Sequence, residues 1–190
     1  MCGRYVLFSD TEQQEIRDII NEVQRKTNGE IKTGEIYPTD KAPVLLQTEN
    51  HFVAEPLIWG FPNFRNKGVI INARAETVQT KPMFRKSLYT KRCMIPSTGF
   101  YEWSHVGEKQ KYRFNLPGEE ALFMAGLYNE FDGQQCFVIL TTEANESMEN
   151  IHNRMPVVLN KDGMRDWMAD ESVALRLLTQ EPPQLVRQPA

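Results

Sequence analysis

The middle of the chain is dominated by short β-type segments. The runs "RCMIPSTGFYEWS", "KYRFNL", "ALFMAGLY" and "CFVILTT" follow one another between residues 92 and 142 and are separated by glycine, proline and charged residues. β-branched and aromatic residues with this punctuation favour strands. Helical patterns lie mainly before and after this region. The sequence therefore predicts an α+β fold, with mainly antiparallel or mixed β-structure and peripheral helices, rather than an alternating parallel fold.

The first half of the chain contributes both helices and strands. "SDTEQQEIRDIINEVQRK" predicts an amphipathic helix, with Ser9 and Glu12 as a capping box and Asn28-Gly29 as its end. "KAPVLLQTENHFVAEPLIWGF" predicts two strands around a polar turn, and "GVIINARAET" predicts one buried strand. "KPMFRKSLYTK" predicts a short basic helix with Pro82 in its first turn.

The last third of the chain predicts helices around one more strand. "EANESMENIHNR" indicates a short helix, "MPVVL" a strand, and "NKDGMRDWMADESVALRLLTQ" one or two closing helices. Residues 181–190 contain three prolines, which favours an extended tail. A chain of 190 residues is long enough for one well-packed domain and short for two, so we expect a single domain over residues 1–190.

Composition narrows the class of protein. No apolar run approaches the roughly 20 residues that a membrane-spanning helix needs. The N-terminus lacks the basic and then apolar plan of a secretory signal. Three cysteines without a CxxC pair argue against a disulfide framework and against a zinc site built from cysteines and histidines. We therefore expect a reduced, cytoplasmic protein without a metal or other cofactor.

Charge is distributed unevenly along the chain. The net charge is −3, but residues 63–92 contain eight basic residues and one acidic residue. That segment carries +7, so the remainder carries −10. A polyanion would be attracted to one face of such a molecule and repelled elsewhere. The alternative is a solvated surface helix with its flanks.

The chain opens with "MCGR", which places a cysteine directly behind the initiator methionine. Removal of Met1 would give Cys2 two nucleophiles on one residue, a thiol with an ordinary pKa of about 8.5 and an α-amine with a pKa near 8. The alternative is that Cys2 begins a strand as a small buried residue.

Polar residues interrupt two of the predicted strands. In "FYEWS", Glu102 shares a strand face with Phe100, and a poorly solvated carboxyl group has a raised pKa suited to proton transfer. In "INARAET", Asn72 and Arg74 share a face, where an amide and a guanidinium could bind a hydroxyl and a phosphate. The structural alternatives are a solvent-facing Glu102 on an edge strand and an Arg74 paired with Glu76 or a loop.

One of the three histidines stands out. His152 lies beside Arg154 just before a proline turn, and histidine is the side chain best suited to proton transfer at neutral pH. His51 and His105 lie in polar, turn-like stretches and are expected to be structural. The sequence therefore offers a nucleophile, an acid/base, a proton shuttle and an anion-binding residue, which together could serve covalent catalysis.

These residues lie in segments that resemble the SOS response-associated peptidase (SRAP) family. The resemblance covers, in order, "MCGRY", "IYPTDKAPVL", "LIWGF", "INARAET", "RCMIPSTGFYEW", "LFMAGLY", "VILTTEANESMENIHNRMPVVL" and "MRDWM". It implies a barrel-like SRAP fold and a role in shielding abasic sites in single-stranded DNA. It also implies a cytoplasmic protein that associates with the nucleoid when DNA is damaged. We expect abasic single-stranded DNA as the partner, replication-associated proteins as further partners, and a monomer.

The resemblance also implies a mechanism. Met1 is removed by self-processing, and the Cys2 amine condenses with the aldehyde of the ring-opened deoxyribose. The thiol then closes a thiazolidine ring, and we also expect abasic-site lyase activity. If Met1 is still attached, we expect it in or near the pocket.

Site residues follow from the matching motifs. The catalytic set is Cys2, Asn72, Glu102 and His152. Glu102 is expected to transfer protons, His152 to help open the sugar ring, and Asn72 to orient Cys2. The expected DNA-binding residues are Arg4, Phe64, Arg74, Lys81, Arg85, Thr141 and Arg154. Phe64 is expected to stack on bases, and Lys81 or Arg85 to replace an arginine that many members carry near position 82.

Two other functions remain open from the sequence. Glutaminases of the class II amidotransferase type also begin "MCG", and "NGEI" at residues 28–31 resembles a fragment of their oxyanion hole. Ammonia release from glutamine without DNA adducts would favour that function. A non-catalytic protein-binding domain with an inert Cys2 is the third candidate, and it predicts no covalent DNA band.

Overall fold

The computed structural model describes residues 2–49, 51–65, 67–104 and 109–190. The helices are α1 (Gln14–Thr27), α2 (Pro82–Thr90), α3 (Lys161–Ala169) and α4 (Glu171–Leu177). The strands of the first half are β1 (Tyr5–Leu7), β2 (Gly34–Ile36), β3 (Lys41–Gln47), β4 (Phe52–Trp59), β5 (Phe61–Pro62), β6 (Val69–Ile70) and β7 (Asn72–Arg74). Those of the second half are β8 (Arg92–Ser97), β9 (Gly99–Trp103), β10 (Lys111–Asn115), β11 (Leu122–Phe131), β12 (Gln134–Glu143), β13 (Arg154–Pro156), β14 (Val158–Leu159) and β15 (Val186–Pro189).

A closed ring of five strands forms the centre of the fold. Strand β12 pairs with β4, β4 with β3, β3 with β8, β8 with β11, and β11 pairs back with β12. Only the β12–β4 pair in this ring is parallel. The predicted α+β class with a barrel-like, mixed sheet is therefore confirmed.

The core fills this barrel with large apolar side chains. Trp59 is fully buried, stacks on Phe137 and meets Tyr5 edge-on. Its indole Nε1 donates to the carbonyl of Ile71 at 3.1 Å. Because Ile71 also accepts from the amide of Ile139 on β12, the chain is fixed to the barrel just before β7 begins. "GVIINARAET" is therefore two short strands, β6 and β7, and not the single strand expected.

A second, five-stranded sheet carries the N-terminus. Its order is β15-β10-β9-β1-β2, so β9 lies between β10 and β1. Gly99 begins β9 with φ +142°, and a Cβ there would lie 2.5 Å from the Asn115 side chain. Only glycine fits such a position. The tail is extended as predicted, and β15 adds an antiparallel edge strand to β10.

Helix α1 packs its predicted apolar stripe on the barrel but begins later than expected. Gln13 is the N-cap and makes no side-chain capping bond, so the Ser9–Glu12 capping box is wrong. The helix does end at Asn28, which is left-handed at φ 51°, followed by Gly29 at φ 87°. The first residue of "NGEI" is therefore the C-cap of α1. The buried stripe comprises Ile16, Ile19, Ile20 and Val23.

The segment "EANESMENIHNR" forms consecutive turns and not the predicted helix. The Asn145 side-chain oxygen accepts from the Ser147 amide, and its Nδ2 donates to the carbonyls of Pro182 and Pro183. These local and tertiary bonds compete with helix formation. "MPVVL" is likewise divided, because β13 pairs with β12 whereas β14 pairs with β11.

Candidate functional site

Cys2 lies in the interior at the start of the five-stranded sheet. It is 0% exposed in the full chain, which includes Met1, and its thiol lies 3.9 Å from the carbonyl of Arg4. Burial, and next the charge of Glu102, raise the pKa of the Cys2 thiol well above its ordinary value. The thiol is therefore neutral at physiological pH in this state. The expectation that Met1 lies near the pocket concerns a residue outside the described ranges.

Asn72 contacts Cys2 directly. Its Nδ2 donates to the Cys2 carbonyl at 3.1 Å, which joins two residues 70 positions apart. β7 is held parallel to β12, with Asn72 opposite Ile139 and Arg74 opposite Thr141. The Asn72 Oδ1 is buried and has no hydrogen-bond partner among the described residues. That oxygen is an acceptor available to a ligand hydroxyl.

Glu102 lies on the central strand β9 and not on an edge. It is 5% exposed, and it shares its strand face with Phe100, which stacks on Phe114. The predicted solvent-facing alternative is therefore wrong. Because the charge of Glu102 raises the pKa of the Cys2 thiol, the two groups interact electrostatically. Asn72 thus contacts Cys2, and the charge of Glu102 acts on the Cys2 thiol.

An open groove runs beside this cluster. Its wall contains Asn72 and Arg74 from β7, Phe64 and Arg65 from the β5–β6 turn, and Lys81 at the start of α2. Phe64 is 75% exposed and leans on Phe131, with ring centroids 6.0 Å apart. Within the described part of the chain, Arg74 and Lys81 make no ion pair and are exposed. We call this surface the open groove.

Arg85 lies one turn into α2, the helix whose first residues line the groove. Its side chain is exposed, and its amide donates to the carbonyl of Lys81. Pro82 occupies the first turn of the helix, as predicted. The Arg74–Glu76 pair that was the structural alternative does not form, because Glu76 pairs with Arg154.

His152 lies in a neighbouring cleft that shares Arg74 with the open groove. Its Nδ1 accepts a hydrogen bond from the backbone amide of Arg154 at 2.9 Å. An accepting Nδ1 carries no proton, so a neutral ring has its proton on Nε2. The histidine follows turns rather than a helix end. His51 is exposed on the β3–β4 turn, and His105 lies outside the described residues.

Arg154 and Thr141 lie beneath the surface on which we expected them. Arg154 makes a bidentate pair with Glu76 at 2.7 and 2.9 Å and also donates to the Thr141 carbonyl at 2.7 Å. Thr141 is fully buried. The Arg154 bond holds the pKa of the Glu76 carboxyl below its usual range. In the free chain both residues support β7 and His152, and their contact with DNA stays a prediction.

Arg4 belongs to a cluster that the sequence did not reveal. Its guanidinium lies over the rings of Tyr37 and Trp103, at 4.4 and 4.9 Å, and binds Glu35 at 3.2 Å. Lys111 binds the other oxygen of Glu35 at 2.7 Å. Strand alternation is the only feature of the sequence that could have indicated this cluster. Once the pairing of β9 with β10 is known, alternation places Trp103 and Lys111 on the outer face of the sheet. We call these five residues the Glu35 cluster.

The remaining acidic, histidine and cysteine side chains do not form a further site of these kinds among the described residues. Among the described residues, no group of three or more histidine, cysteine or acidic side chains is arranged to hold a metal ion. Cys93 and Cys136 are buried free thiols whose pKa values burial raises. No helix in the described ranges has the length and apolar character needed to cross a membrane.

Curated relatives align with this chain over half of its length or more. The chain is 35% identical over 181 residues to abasic site processing protein YoqW of Bacillus subtilis, covering 88% of this chain and 80% of the relative. It is 28% identical over 180 residues to abasic site processing protein YedK of Escherichia coli, covering 90% and 81%. With HMCES of Xenopus tropicalis, also named an abasic site processing protein, it shares 30% over 123 residues, covering 51% and 37%.

Solved structures share the fold. A protein from Bacteroides thetaiotaomicron superimposes with a TM-score of 0.79 at 22% identity, covering 99% of this chain and 91% of that one. A phage-related protein from Bordetella bronchiseptica gives a TM-score of 0.75 at 24% identity, covering 100% and 94%. The family model described as SOS response associated peptidase (SRAP) matches residues 1–187. On this ground, and with the motifs assembled as described, the chain belongs to the SRAP family.

Proposed function

We propose that this protein recognises abasic sites in single-stranded DNA and bonds to them through Cys2 after Met1 has been removed. Its relatives are abasic site processing proteins, and its family membership spans almost the whole chain. The observation that carries the proposal is the contact between Asn72 and the Cys2 carbonyl, beside Glu102 and at the base of a cationic groove.

The proposed chemistry balances without a cofactor. The Cys2 α-amine adds to the C1′ aldehyde of the open sugar, and loss of one water gives an imine. The thiol sulfur then adds to the same carbon while its proton passes to the nitrogen, which closes a five-membered thiazolidine. The net change is one aldehyde and one aminothiol converted to one ring and one water. Strand cleavage by β-elimination would begin from the same imine.

Each catalytic side chain has a proposed role. Glu102 accepts and returns protons during imine formation and during hydrolysis of the Met1–Cys2 peptide bond, where a proton must reach the leaving amine. Asn72 holds the backbone of Cys2 and offers its Oδ1 to the sugar. His152, with its proton on Nε2, donates to the sugar oxygen as the ring opens.

The proposed chemistry requires that Met1 be removed. An acylated α-amine cannot form an imine, and Cys2 has no exposed surface in the chain that carries Met1. We infer that self-processing frees the amine, and that the buried thiol must become accessible before the aldehyde can reach it. The self-processing peptidase and the DNA-bonding activity then share one site.

DNA is proposed to lie along the open groove. Exposed Phe64 stacks on a base, while Arg74, Lys81 and Arg85 contact phosphates. Arg4 contacts a phosphate on the other side of Cys2.

Incubation with an oligonucleotide that contains one abasic site tests the function, with denaturing electrophoresis as the readout. We expect a heat-stable band with the mature protein and none with Cys2→Ala. Glu102→Gln should form the same band at least tenfold more slowly and retain more Met1, because proton transfer contributes at least two orders of magnitude in many enzymes. A Cys2→Ala band of wild-type intensity would exclude Cys2 as the nucleophile.

The same experiment separates the alternatives. An oligonucleotide without an abasic site is the control and should give no band. Ammonia release from glutamine without a band would favour the glutaminase, and the absence of both would favour an inert binding domain.

A further inference from the structure

Glu35 bridges two cations next to the N-terminus. Its two carboxylate oxygens accept from Arg4 at 3.2 Å and from Lys111 at 2.7 Å, and the Tyr37 hydroxyl donates to it at 2.8 Å. The carboxyl pKa of Glu35 is lowered, first by the Lys111 bond and then by the Tyr37 bond. A guanidinium, an ammonium and a hydroxyl that converge on one carboxylate form a binding site for an oxyanion.

Aromatic rings fix these cations in place. Arg4 lies between Tyr37 and Trp103, and Lys111 lies 3.7 Å from the centre of the Tyr101 ring. Cation–π contacts restrict where the charged groups can point. The cations that bind the oxyanion are therefore already in position. A different anion can replace the Glu35 carboxylate between them.

The cluster is adjacent to Cys2. The Arg4 carbonyl lies 3.9 Å from the Cys2 thiol and accepts from the Tyr101 amide at 2.9 Å. The guanidinium that would bind the anion thus belongs to a residue two positions along the chain from the nucleophile. Tyr37 is 38% exposed, so the cluster is open to solvent on one side.

We propose that Glu35 occupies a phosphate subsite formed by Arg4, Lys111 and Tyr37, and that a backbone phosphate of single-stranded DNA displaces it. The inference rests on the proposed function and adds a residue that sets DNA affinity. Glu35 competes with the phosphate for the same donors. It therefore weakens binding of DNA in general, and an abasic strand has to overcome the same competition before it reaches Cys2.

Glu35→Gln removes the competing charge while keeping a side chain of the same size. We expect an undamaged single-stranded oligonucleotide to bind about fivefold more tightly at low salt, a size typical of one exposed ion pair. The slope of log affinity against log salt should stay that of the wild type, because the phosphate makes the same contact in both proteins once Glu35 has been displaced. Fluorescence anisotropy over a salt series measures both quantities.

Glu55→Gln is the matched control. Glu55 is also a half-buried carboxylate paired with a lysine, Lys26, at 2.8 Å, but it lies on β4 against α1. It changes the net charge by the same amount. A Glu35→Gln affinity equal to that of Glu55→Gln would overturn the subsite.

A second variant tests the site independently of Glu35. Lys111→Gln should weaken binding and flatten the salt slope by about 0.7, and adding Glu35→Gln to it should then have less effect. Unchanged binding in Lys111→Gln would also overturn the inference. If the wild-type protein and all variants fail to bind the oligonucleotide, the proposed function itself fails, which is a different result.

Discussion

Two cationic surfaces flank Cys2, and they differ in what their charges bind. In the open groove, Arg74 and Lys81 are exposed and make no ion pair within the described residues. In the Glu35 cluster, Arg4 and Lys111 already hold a carboxylate. The two surfaces contain similar numbers of basic residues, but those of the Glu35 cluster are less available to a phosphate.

This comparison shows that the number of basic residues in a segment does not measure how well that segment can bind phosphate. The sequence placed +7 in residues 63–92, and that segment supplies most of the open groove. Arg4 and Lys111 lie outside it and are neutralised in part by Glu35. We therefore expect the groove to supply most of the affinity and the cluster to adjust it. The following predictions run from the largest expected effect to the smallest.

Phe64→Ala should cause the largest loss. Stacking on one base contributes about 1–3 kcal/mol, so the affinity for a single-stranded oligonucleotide should fall about tenfold. Because Phe64 is 75% exposed, the free energy of unfolding should change by less than about 0.5 kcal/mol. Phe52→Ala, at a 38% exposed phenylalanine on β4, is the control and should bind normally. Equal affinities for the two variants would remove Phe64 from the interface.

Arg74→Ala should have a smaller effect that depends on salt. Loss of one phosphate contact should weaken binding about fivefold at low salt and flatten the salt slope by about 0.7. Arg25→Ala removes an equal charge from the exposed face of α1 and should leave the slope unchanged. If Arg74→Ala keeps the wild-type slope, the residue is structural and the open groove does not hold phosphate there.

The smallest effect should be a pH-dependent one in the Glu35 cluster. Because the folded-state pKa of Glu35 is lowered, its contribution to stability is present above its unfolded pKa of about 4.3 and is lost as pH falls through the folded value. Thermal unfolding should show wild type more stable than Glu35→Gln by less than about 1 kcal/mol at pH 6. The difference should shrink as pH falls below about 4.3 and vanish only below the lowered folded-state pKa of Glu35.

The control for that measurement is Glu130→Gln, at an exposed carboxylate on β11. Its difference from wild type should not follow the same pH course. A stability difference for Glu35→Gln that persists at low pH would mean that the Glu35 carboxylate does not hold Arg4 and Lys111 through its charge.

Strong periodicity made much of the fold predictable. Three features lie where they were expected: the apolar stripe of α1, the strands β3 and β4, and the helix α2. The predictions were wrong where residues pair or form hydrogen bonds with partners that are distant in the sequence. Asn145 bonds to the prolines of the tail, which prevents the helix expected at residues 143–154, and β13 and β14 pair with different strands.

The candidate site was predictable only in part, for a similar reason. Residues that break a strand pattern, such as Asn72 and Glu102, stand out in a sequence. Glu35, Tyr37 and Lys111 do not, because each is an ordinary residue on its own strand. Their shared role depends on the pairing of β1 with β2 and of β9 with β10, which brings together residues 76 positions apart.

The central claim is that Cys2 of the processed chain bonds to the sugar through its amine and its thiol. The most direct test is the intact mass of the protein after incubation with abasic single-stranded DNA. We predict the mass of the chain without Met1, plus the oligonucleotide, less one water. An adduct that still contains Met1, or the corresponding adduct formed equally by Cys2→Ala, would contradict the account.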